Sequence, residues 1–156
     1  MDNEMRDMVD SVALGRLHAA YADTCSRQVW SELHDHFLPD TLVVVDLQNL
    51  GSRTFQGPQV LGEFIGGSLE QFEFFQFVVL NSHFMLRTDG DPDRATGRMW
   101  MSELRQFASN GRWSVIHGLY RDEYQRVDGK WWFAHRRYQS LARTNRDVEI
   151  FRLPPD

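Results

Sequence analysis

The sequence predicts an α+β domain in which short helices precede a long, strongly curved antiparallel sheet. Apolar residues recur at helical spacing near the start of the chain, which favours helices there. Three hairpin dipeptides, Asp89-Gly90, Asn110-Gly111 and Asp128-Gly129, divide the second half into four β-rich segments. The 156 residues, 42% of them apolar, suit one domain with one core, so residues 1–156 are treated as a single domain.

The first helix is predicted over residues 5–24, where apolar side chains recur every three or four positions. A second, short helix is predicted after Ser26, a residue type that favours the N-cap position. Pro39 is expected to end that helix, and residues 41–46 read as a strand.

The third helix is predicted to begin at Gly57 and Pro58, since proline is favoured in the first turn of a helix. Gly66 and Gly67 are expected to end it.

The four β-rich segments are longer than most strands, so the sheet is expected to bend. A curved sheet that wraps the helices would enclose a cone-shaped pocket on its concave face. The segments cover residues 72–88, 94–108, 113–127 and 130–142. The end of the chain, residues 146–156, is predicted to be a tail that covers a neighbour or the mouth of the pocket.

Composition and charge exclude several classes of protein. Seventeen Lys and Arg against 22 Asp and Glu give a net charge of -5, so nucleic acid is not an expected partner. Cys25 is the only cysteine, which excludes an internal disulfide and fits a reducing, cytoplasmic location. The acidic start of the chain does not resemble a secretory signal, and no apolar run is long enough to predict a membrane span.

The sequence indicates neither a metal nor a cofactor. His34 and His36 are two residues apart, and side chains at that spacing on a helix do not face each other, so they are not expected to share a metal. The chain has no GxGxxG, P-loop or GxSxG motif, so dinucleotide, nucleotide and serine-hydrolase functions lack support.

Several motifs together resemble one family. Tyr21-Ala22, followed by Trp30 and Leu33 and then by the stretches DRATGRMW and GLYRDEYQRVDGKWWFAHRR, resembles the SnoaL-like branch of the nuclear transport factor 2-like superfamily. The chain is similar in particular to scytalone dehydratase and bile-acid 7α-dehydratase. The resemblance implies a cystatin-like cone with a hydrophobic pocket, a small hydrophobic molecule as ligand, no cofactor, and a homodimer or homotrimer.

The resemblance extends to only part of the dehydratases' catalytic set. Tyr21 occupies the position of their tyrosine late in the first helix, but Ser26 stands where they have an aspartate. Their histidine falls at Val79 or Leu80, and the nearest imidazole is His83. We expect His83 to enter the pocket only if the register shifts or a bulge intervenes.

Glu103 aligns with a further acidic position of the family. Strand alternation places it on the same face as Met99 and Met101, so its carboxylate would lie in apolar surroundings that raise its pKa and suit a general base or acid. The alternative is that Glu103 pairs with an arginine on the next strand. Tyr21 could donate a hydrogen bond to a substrate oxygen or pack in the core.

The next strand offers further candidates for the pocket. Gly118, Tyr120 and Asp122 share one face, and the glycine would leave space for a ligand. The alternative for Asp122 is an ion pair across the sheet with Arg98 or Arg137. His135 could face the pocket or solvent.

Phe77 belongs to the aromatic run FEFFQFVVL, which enters the sheet where the resembled enzymes line their cavities. Ring-rich walls suit a steroid, terpenoid or polyaromatic ligand, although core or dimer packing would also use such rings.

Two main hypotheses follow. The first is a cofactor-independent lyase or isomerase of the dehydratase type, which acts on a hydrophobic ring compound such as a steroid, terpenoid or polyketide. Glu103 would be the base, Tyr21 the oxyanion donor or acid, and His83 or His135 the proton shuttle. The second is a non-catalytic ligand-binding or subunit protein, similar to a ring-hydroxylating dioxygenase β subunit. A plain protein-interaction module ranks third, because the inferred pocket would then have no use.

Overall fold

A computed structural model describes residues 2–144 and 148–151. It contains two α-helices, α1 (Asn3–Arg27) and α2 (Pro58–Leu69), and short 3-10 helices at Trp30–Asp35, Gln48–Leu50 and Thr88–Gly90. The strands are β1 (Phe37–Asp46), β2 (Ser52–Gln56), β3 (Phe72–Leu86), β4 (Arg94–Phe107), β5 (Trp113–Val127), β6 (Lys130–Thr144) and β7 (Val148–Ile150).

The strands form one sheet in the order β2-β1-β6-β5-β4-β3, with β7 added beside β6. All described pairs are antiparallel except β1 with β6, which are parallel. The long strands curve around α1, and α2 closes one side of the concave face. The predicted α+β cone is therefore confirmed.

The ends of the four long strands lie within two residues of the predicted ends, because the residue types in the hairpin turns strongly favour turn conformations. Asp128 and Gly129 have φ values of 51° and 78°, the left-handed conformation that a two-residue hairpin requires. Asp89 and Gly90 have φ values of 57° and 78°. At the third turn, the Asn110 side chain accepts a hydrogen bond of 2.9 Å from the backbone N–H of Arg112.

The helices differ more from their predictions. Ser26 lies inside α1 rather than at a cap, and its hydroxyl accepts a 3.0 Å hydrogen bond from the backbone N–H of Phe77. The predicted second helix is one 3-10 segment, and Pro39 lies within β1 rather than ending a helix. The short strand β2 was not predicted.

The glycines of α2 do not end the helix, which continues to Leu69. A Cβ atom at Gly66 would lie 2.8 Å from Nε1 of Trp30, and one at Gly62 would lie 3.1 Å from the Trp30 Cβ atom. These glycines let α2 pack closely on Trp30, so tertiary packing explains them better than termination does.

The core lies between α1 and the concave face of the sheet, with Leu14, Tyr21 and Phe133 almost fully buried. Of the predicted tail, only residues 148–151 lie in the described part, where Val148–Ile150 forms β7; the remainder lies outside the described residues. No helix in the described part of the chain is long and apolar enough to cross a membrane.

Candidate functional site

A cavity of about 190 Å³ lies between α1, α2 and the concave face of the sheet. Its wall is mainly aliphatic and aromatic, with a single carboxylate and a single guanidinium. The polar lining groups are Glu103, Arg105, Tyr21, Tyr120, Tyr138, Cys25, Ser68 and Gln71, and the apolar ones include Phe77, Phe75, Phe72, Leu61, Ile65 and Ile116.

Glu103 faces this cavity from β4. Its side chain is 20% exposed, and the nearest ionic partner is Arg105, with Nη1 3.8 Å from Glu103 Oε2. Burial raises the pKa of Glu103, and the positive charge of Arg105 opposes that effect. The alternative predicted partner, an arginine on the next strand, is wrong, because Arg105 lies two residues along the same strand.

Arg105 brings a positive charge to the same wall. Its Nη2 donates a 3.0 Å hydrogen bond to Ser114 Oγ, and its guanidinium carbon lies 4.8 Å from the centre of the Phe72 ring. The Nε atom is buried and has no hydrogen-bond partner. Arg105 therefore keeps one unpartnered donor, close to a loosely held carboxylate.

Three tyrosines line the same cavity as the Glu103 carboxylate: Tyr21, Tyr120 and Tyr138. Burial is the main cause that raises the pKa of Tyr21, of Tyr120 and of Tyr138, so all three phenols stay protonated at neutral pH. For Tyr21 and Tyr120 the positive charge of Arg136 acts in the opposite direction. The cavity thus holds neutral hydrogen-bond donors for a substrate oxygen.

Three predicted binding residues lie behind the wall rather than in it. Met99 and Met101 are completely buried and do not line the cavity. Gly118 leaves no space for a ligand, because a Cβ atom there would lie 2.3 Å from the Tyr138 ring and 2.9 Å from the Met101 sulfur. The space that the glycine opens is filled by Tyr138.

The two predicted histidines point away from the cavity. A bulge between Val79 and Asn81 changes the alternation of β3, so that Ser82 turns inward and His83 is exposed. The expected bulge exists, but it moves His83 outward. His135 lies half-buried on the outer face, beside Arg137.

Sequence reasoning missed a second group of titratable residues, which we call the buried cluster: His18, Asp122, Tyr124 and Arg136. Arg136 donates from Nε and Nη2 to the two oxygens of Asp122, at 2.8 and 2.9 Å, and both side chains are completely buried. The predicted partners of Asp122, Arg98 and Arg137, are therefore wrong. Asp122 does not line the cavity.

A chain of hydrogen bonds connects the other members. Tyr124 donates to Asp122 Oδ2 at 3.2 Å, so its oxygen accepts from His18 Nε2 at 2.6 Å. His18 Nδ1 then accepts from the Ser82 hydroxyl at 2.7 Å. Burial, aided by the charge of Arg136, lowers the pKa of His18 to about 3, which agrees with this neutral imidazole.

Arg136 connects the buried cluster to the cavity. Its guanidinium carbon lies 4.3 Å from the centre of the Tyr21 ring and 4.0 Å from that of Tyr120, and these two rings separate it from the cavity. Alternation could have placed Asp122 and Arg136 inward together, since they are opposite each other in the register of β5 and β6. No comparable signal marked His18.

The described residues include no group of three His, Cys, Asp or Glu side chains placed to hold a metal ion.

A family model described as a SnoaL-like domain matches residues 6–137, which is most of the chain. The chain belongs to the SnoaL-like family. No curated protein sequence matches this SnoaL-like protein significantly.

Solved structures of the same fold include proteins named for different chemistries. A scytalone dehydratase-like protein from Novosphingobium aromaticivorans is 18% identical, with a TM-score of 0.78 and 94% of each chain covered. Hexachlorocyclohexane dehydrochlorinase LinA-type3 from Novosphingobium barchaimii is 17% identical, with a TM-score of 0.77, 98% of this chain and 100% of that chain covered. A protein from Novosphingobium aromaticivorans named as an aromatic ring hydroxylase is 20% identical, with a TM-score of 0.72. The match covers 92% of this chain and 94% of that chain. At these identities the likeness shows a shared fold.

Proposed function

We propose that the protein is a cofactor-independent lyase or isomerase that removes a proton from carbon in a small ring compound. The observation that carries the proposal is Glu103: a carboxylate with a raised pKa and one loose ion pair that faces an apolar cavity. A carboxylate that is neither tightly paired nor exposed to bulk water is a stronger base than an ordinary surface glutamate.

The proposed step uses Glu103 as base. A Glu103 oxygen takes the proton from a carbon next to a carbonyl or to a carbon that bears a leaving group. The C–H electron pair then forms a double bond, either as an enolate or with departure of the leaving group on the adjacent carbon. Glu103 later returns its proton to another carbon, in an isomerisation, or to water, in an elimination.

The tyrosines and Arg105 would stabilise the charge that develops. Tyr21 and Tyr120 are neutral phenols that line the cavity and interact with each other, so either can donate to an enolate oxygen, or protonate a departing hydroxide and then regain the proton from water. Arg105 can bind an anionic oxygen or leaving group through its unpartnered Nε. The proposed catalytic set is therefore Glu103, Tyr21, Tyr120 and Arg105, without His83 and His135, which face outward.

Cavity volume supports a smaller substrate than the sequence suggested. A cavity of about 150 Å³ accommodates benzene, whereas drug-sized ligands occupy about 300 Å³ or more. The 190 Å³ here suits a single six-membered ring with one or two small substituents. We therefore propose a monocyclic substrate in preference to a steroid or polyaromatic compound. Of the three similar structures described above, two carry the names of enzymes that catalyse eliminations, a dehydratase and a dehydrochlorinase.

The test does not require the natural substrate. The protein is incubated in deuterium oxide with a panel of cyclic ketones of one, two and four rings, and NMR follows exchange of the protons next to the carbonyl. We expect faster exchange for one-ring ketones and a loss of about 100-fold or more in Glu103→Gln. Glu123→Gln, an exposed glutamate on β5, is the matched control and should exchange at the wild-type rate. Full exchange in Glu103→Gln would exclude Glu103 as the base.

A second candidate, a non-catalytic ligand-binding or subunit protein, is favoured by one observation. No histidine is found among the described residues that line the cavity, so the dehydratase-type shuttle that the resemblance implies is missing. Thermal stabilisation by a one-ring ligand separates the two candidates, since a ligand at 100 times its Kd adds about 2.7 kcal/mol to the free energy of unfolding. Stabilisation without proton exchange would favour the binding protein.

A further inference from the structure

The first turns of α1 carry an apolar surface that the core does not use. Met5, Met8, Val9 and Val12 follow the i, i+3, i+4, i+7 spacing of one helix face, and each is 50–58% exposed. We call these four residues the outer stripe. A run of large apolar side chains at this spacing is typical of a helix that packs against another helix.

The outer stripe lies on the opposite side of α1 from the core. Successive residues are rotated by about 100°, which places Leu14, Leu17, His18 and Tyr21 roughly half a turn away from the stripe. From residue 2 to residue 12, only Asp10 is buried. Two ion pairs hold this part of the helix in place, from Asp7 to Arg87, just after β3, at 2.5 Å and from Asp10 to Arg126 of β5 at 2.6 Å.

The stripe continues into an open groove of about 700 Å³. Val12, Ala13 and Arg16 form one wall of this groove, and Lys130 and Trp131 form part of the other. The groove gives side chains from a second helix a place to insert. Unlike the cavity around Glu103, it is open along its length and is lined by the outer surface of α1.

We propose that the outer stripe is a self-association surface on which α1 of a second copy of this chain packs in the antiparallel direction. Centred between Met8 and Val9, this arrangement places Met5 of each copy opposite Val12 of the other, and Met8 opposite Val9. One stripe therefore serves both copies, as a two-fold symmetric interface requires.

Charge favours a second copy in this orientation. Arg16 of one copy comes to lie beside the first turn of the other, where Asp2 and Glu4 are exposed. A parallel pair would instead bring the two acidic first turns together and align the helix dipoles unfavourably. The stripe spans seven residue steps, only about 10 Å of helix, so the association is weak and must be measured at high protein concentration.

Sedimentation equilibrium is the first test. Wild-type protein should show concentration-dependent dimers, and Val9→Asp should be monomeric at the same concentrations. Val60→Asp is the matched control, because Val60 is an apolar residue of α2 that is 48% exposed outside the stripe. Circular dichroism checks that each variant is folded. A monomeric wild type, or an oligomer that Val9→Asp leaves intact, would overturn the proposal.

Disulfide trapping tests the orientation. A mixture of Met5→Cys and Val12→Cys proteins should form the mixed cross-link on oxidation, whereas Met5→Cys alone should not. In the antiparallel pair the two Met5 positions are offset by about 10 Å along the axis, beyond the roughly 7 Å that a disulfide can span between Cα atoms. The native Cys25 is buried and will not compete. Efficient trapping of Met5→Cys with itself would contradict the antiparallel arrangement.

Discussion

Two acid–arginine pairs lie inside the same cone, and they differ in almost every physical respect. Asp122 and Arg136 form two hydrogen bonds of 2.8 and 2.9 Å and are completely buried. Glu103 and Arg105 approach only to 3.8 Å and retain 20% and 15% exposure at the cavity wall. The first pair fixes both charges, whereas the second leaves a carboxylate that can accept a proton. The proposed chemistry therefore uses the loosely held pair, whereas the tightly held pair packs its guanidinium against the rings of Tyr21 and Tyr120.

The largest expected effect comes from breaking the tight pair. Arg136→Met leaves the Asp122 charge buried without its partner, and we expect a loss of about 3–5 kcal/mol in the free energy of unfolding, measured in urea. Arg137→Met, the next residue along β6, removes an exposed arginine that is 3.4 Å from Asp46, and it should cost under about 1 kcal/mol. The double variant Asp122→Asn, Arg136→Met should lose clearly less than Arg136→Met alone. Equal losses would show that the pair is not coupled.

The next effect is a dependence of folding stability on pH that comes from His18. The pKa of His18 is about 3 in the fold and 6.5 in the unfolded chain, so protons bind preferentially to the unfolded state between these values. Stability contributed by neutral His18 is therefore lost as pH falls below about 6.5, at up to about 1.4 kcal/mol per pH unit. His18→Gln should flatten this slope. His83→Gln, which removes an exposed imidazole, should leave it unchanged.

A smaller effect on stability is expected when the hydroxyl of Tyr124 or of Tyr21 is removed, and the two losses should differ. Tyr124→Phe removes a partner from both His18 and Asp122, so it should cost about 1–3 kcal/mol. Tyr21→Phe removes a buried hydroxyl at the cavity wall that interacts with the uncharged side chains of Tyr120 and Cys25, and it should cost about 1 kcal/mol while it slows proton exchange of the ring ketone. Thermal unfolding and the exchange assay measure the two effects. A larger stability loss in Tyr21→Phe would reverse the contrast between the two regions.

The smallest expected effect is a gain in stability in the variant Glu103→Gln. Because burial raises the pKa of Glu103, the folded state holds its proton more tightly than the unfolded state does. The protonated form of Glu103 therefore stabilises the fold at low pH, and this contribution is lost as pH rises through the folded-state pKa. Glu103→Gln should be slightly more stable than wild type at pH 8 and equal to it at pH 4. A loss of stability at pH 8 would indicate that the ion pair with Arg105 matters more than burial.

The sheet could be predicted closely from the sequence because its signals are local. Asp89-Gly90 and Asp128-Gly129 adopt the left-handed conformations that such turns favour, so the strand bounds followed directly. The helices were harder, since Ser26 and Gly66 serve contacts with Phe77 and Trp30, which are distant in sequence. Local residue preferences predicted a helix N-cap at Ser26 and a helix end at Gly66. In the structure both residues lie inside helices, where their contacts with distant residues explain them.

The candidate site was predictable only in part. Strand alternation indicated Glu103 and Tyr120, and the family resemblance indicated Tyr21 and Phe77; the structure brings all four together around one cavity. The Ser82 side chain points inward because β3 contains one extra residue, a bulge that no residue type in the sequence indicates. The pairing of Asp122 with Arg136 was missed because Arg98 on β4 and Arg137 on β6, the two strands beside β5, offered equally simple partners.

The parallel pairing of β1 with β6 determines when the molecule can fold. Phe37 pairs with Phe133, and Asp46 pairs with Gln139, so about 95 residues of chain separate the two strands. During synthesis, β1 can pair with the short β2 and pack against α2, but its other edge has no strand beside it until β6 has left the ribosome. Contacts of such long sequence separation slow folding, so refolding is expected to be slow and to favour aggregation at high protein concentration. Chaperones that bind extended apolar segments would find β1 available for most of the time that the ribosome takes to complete the chain.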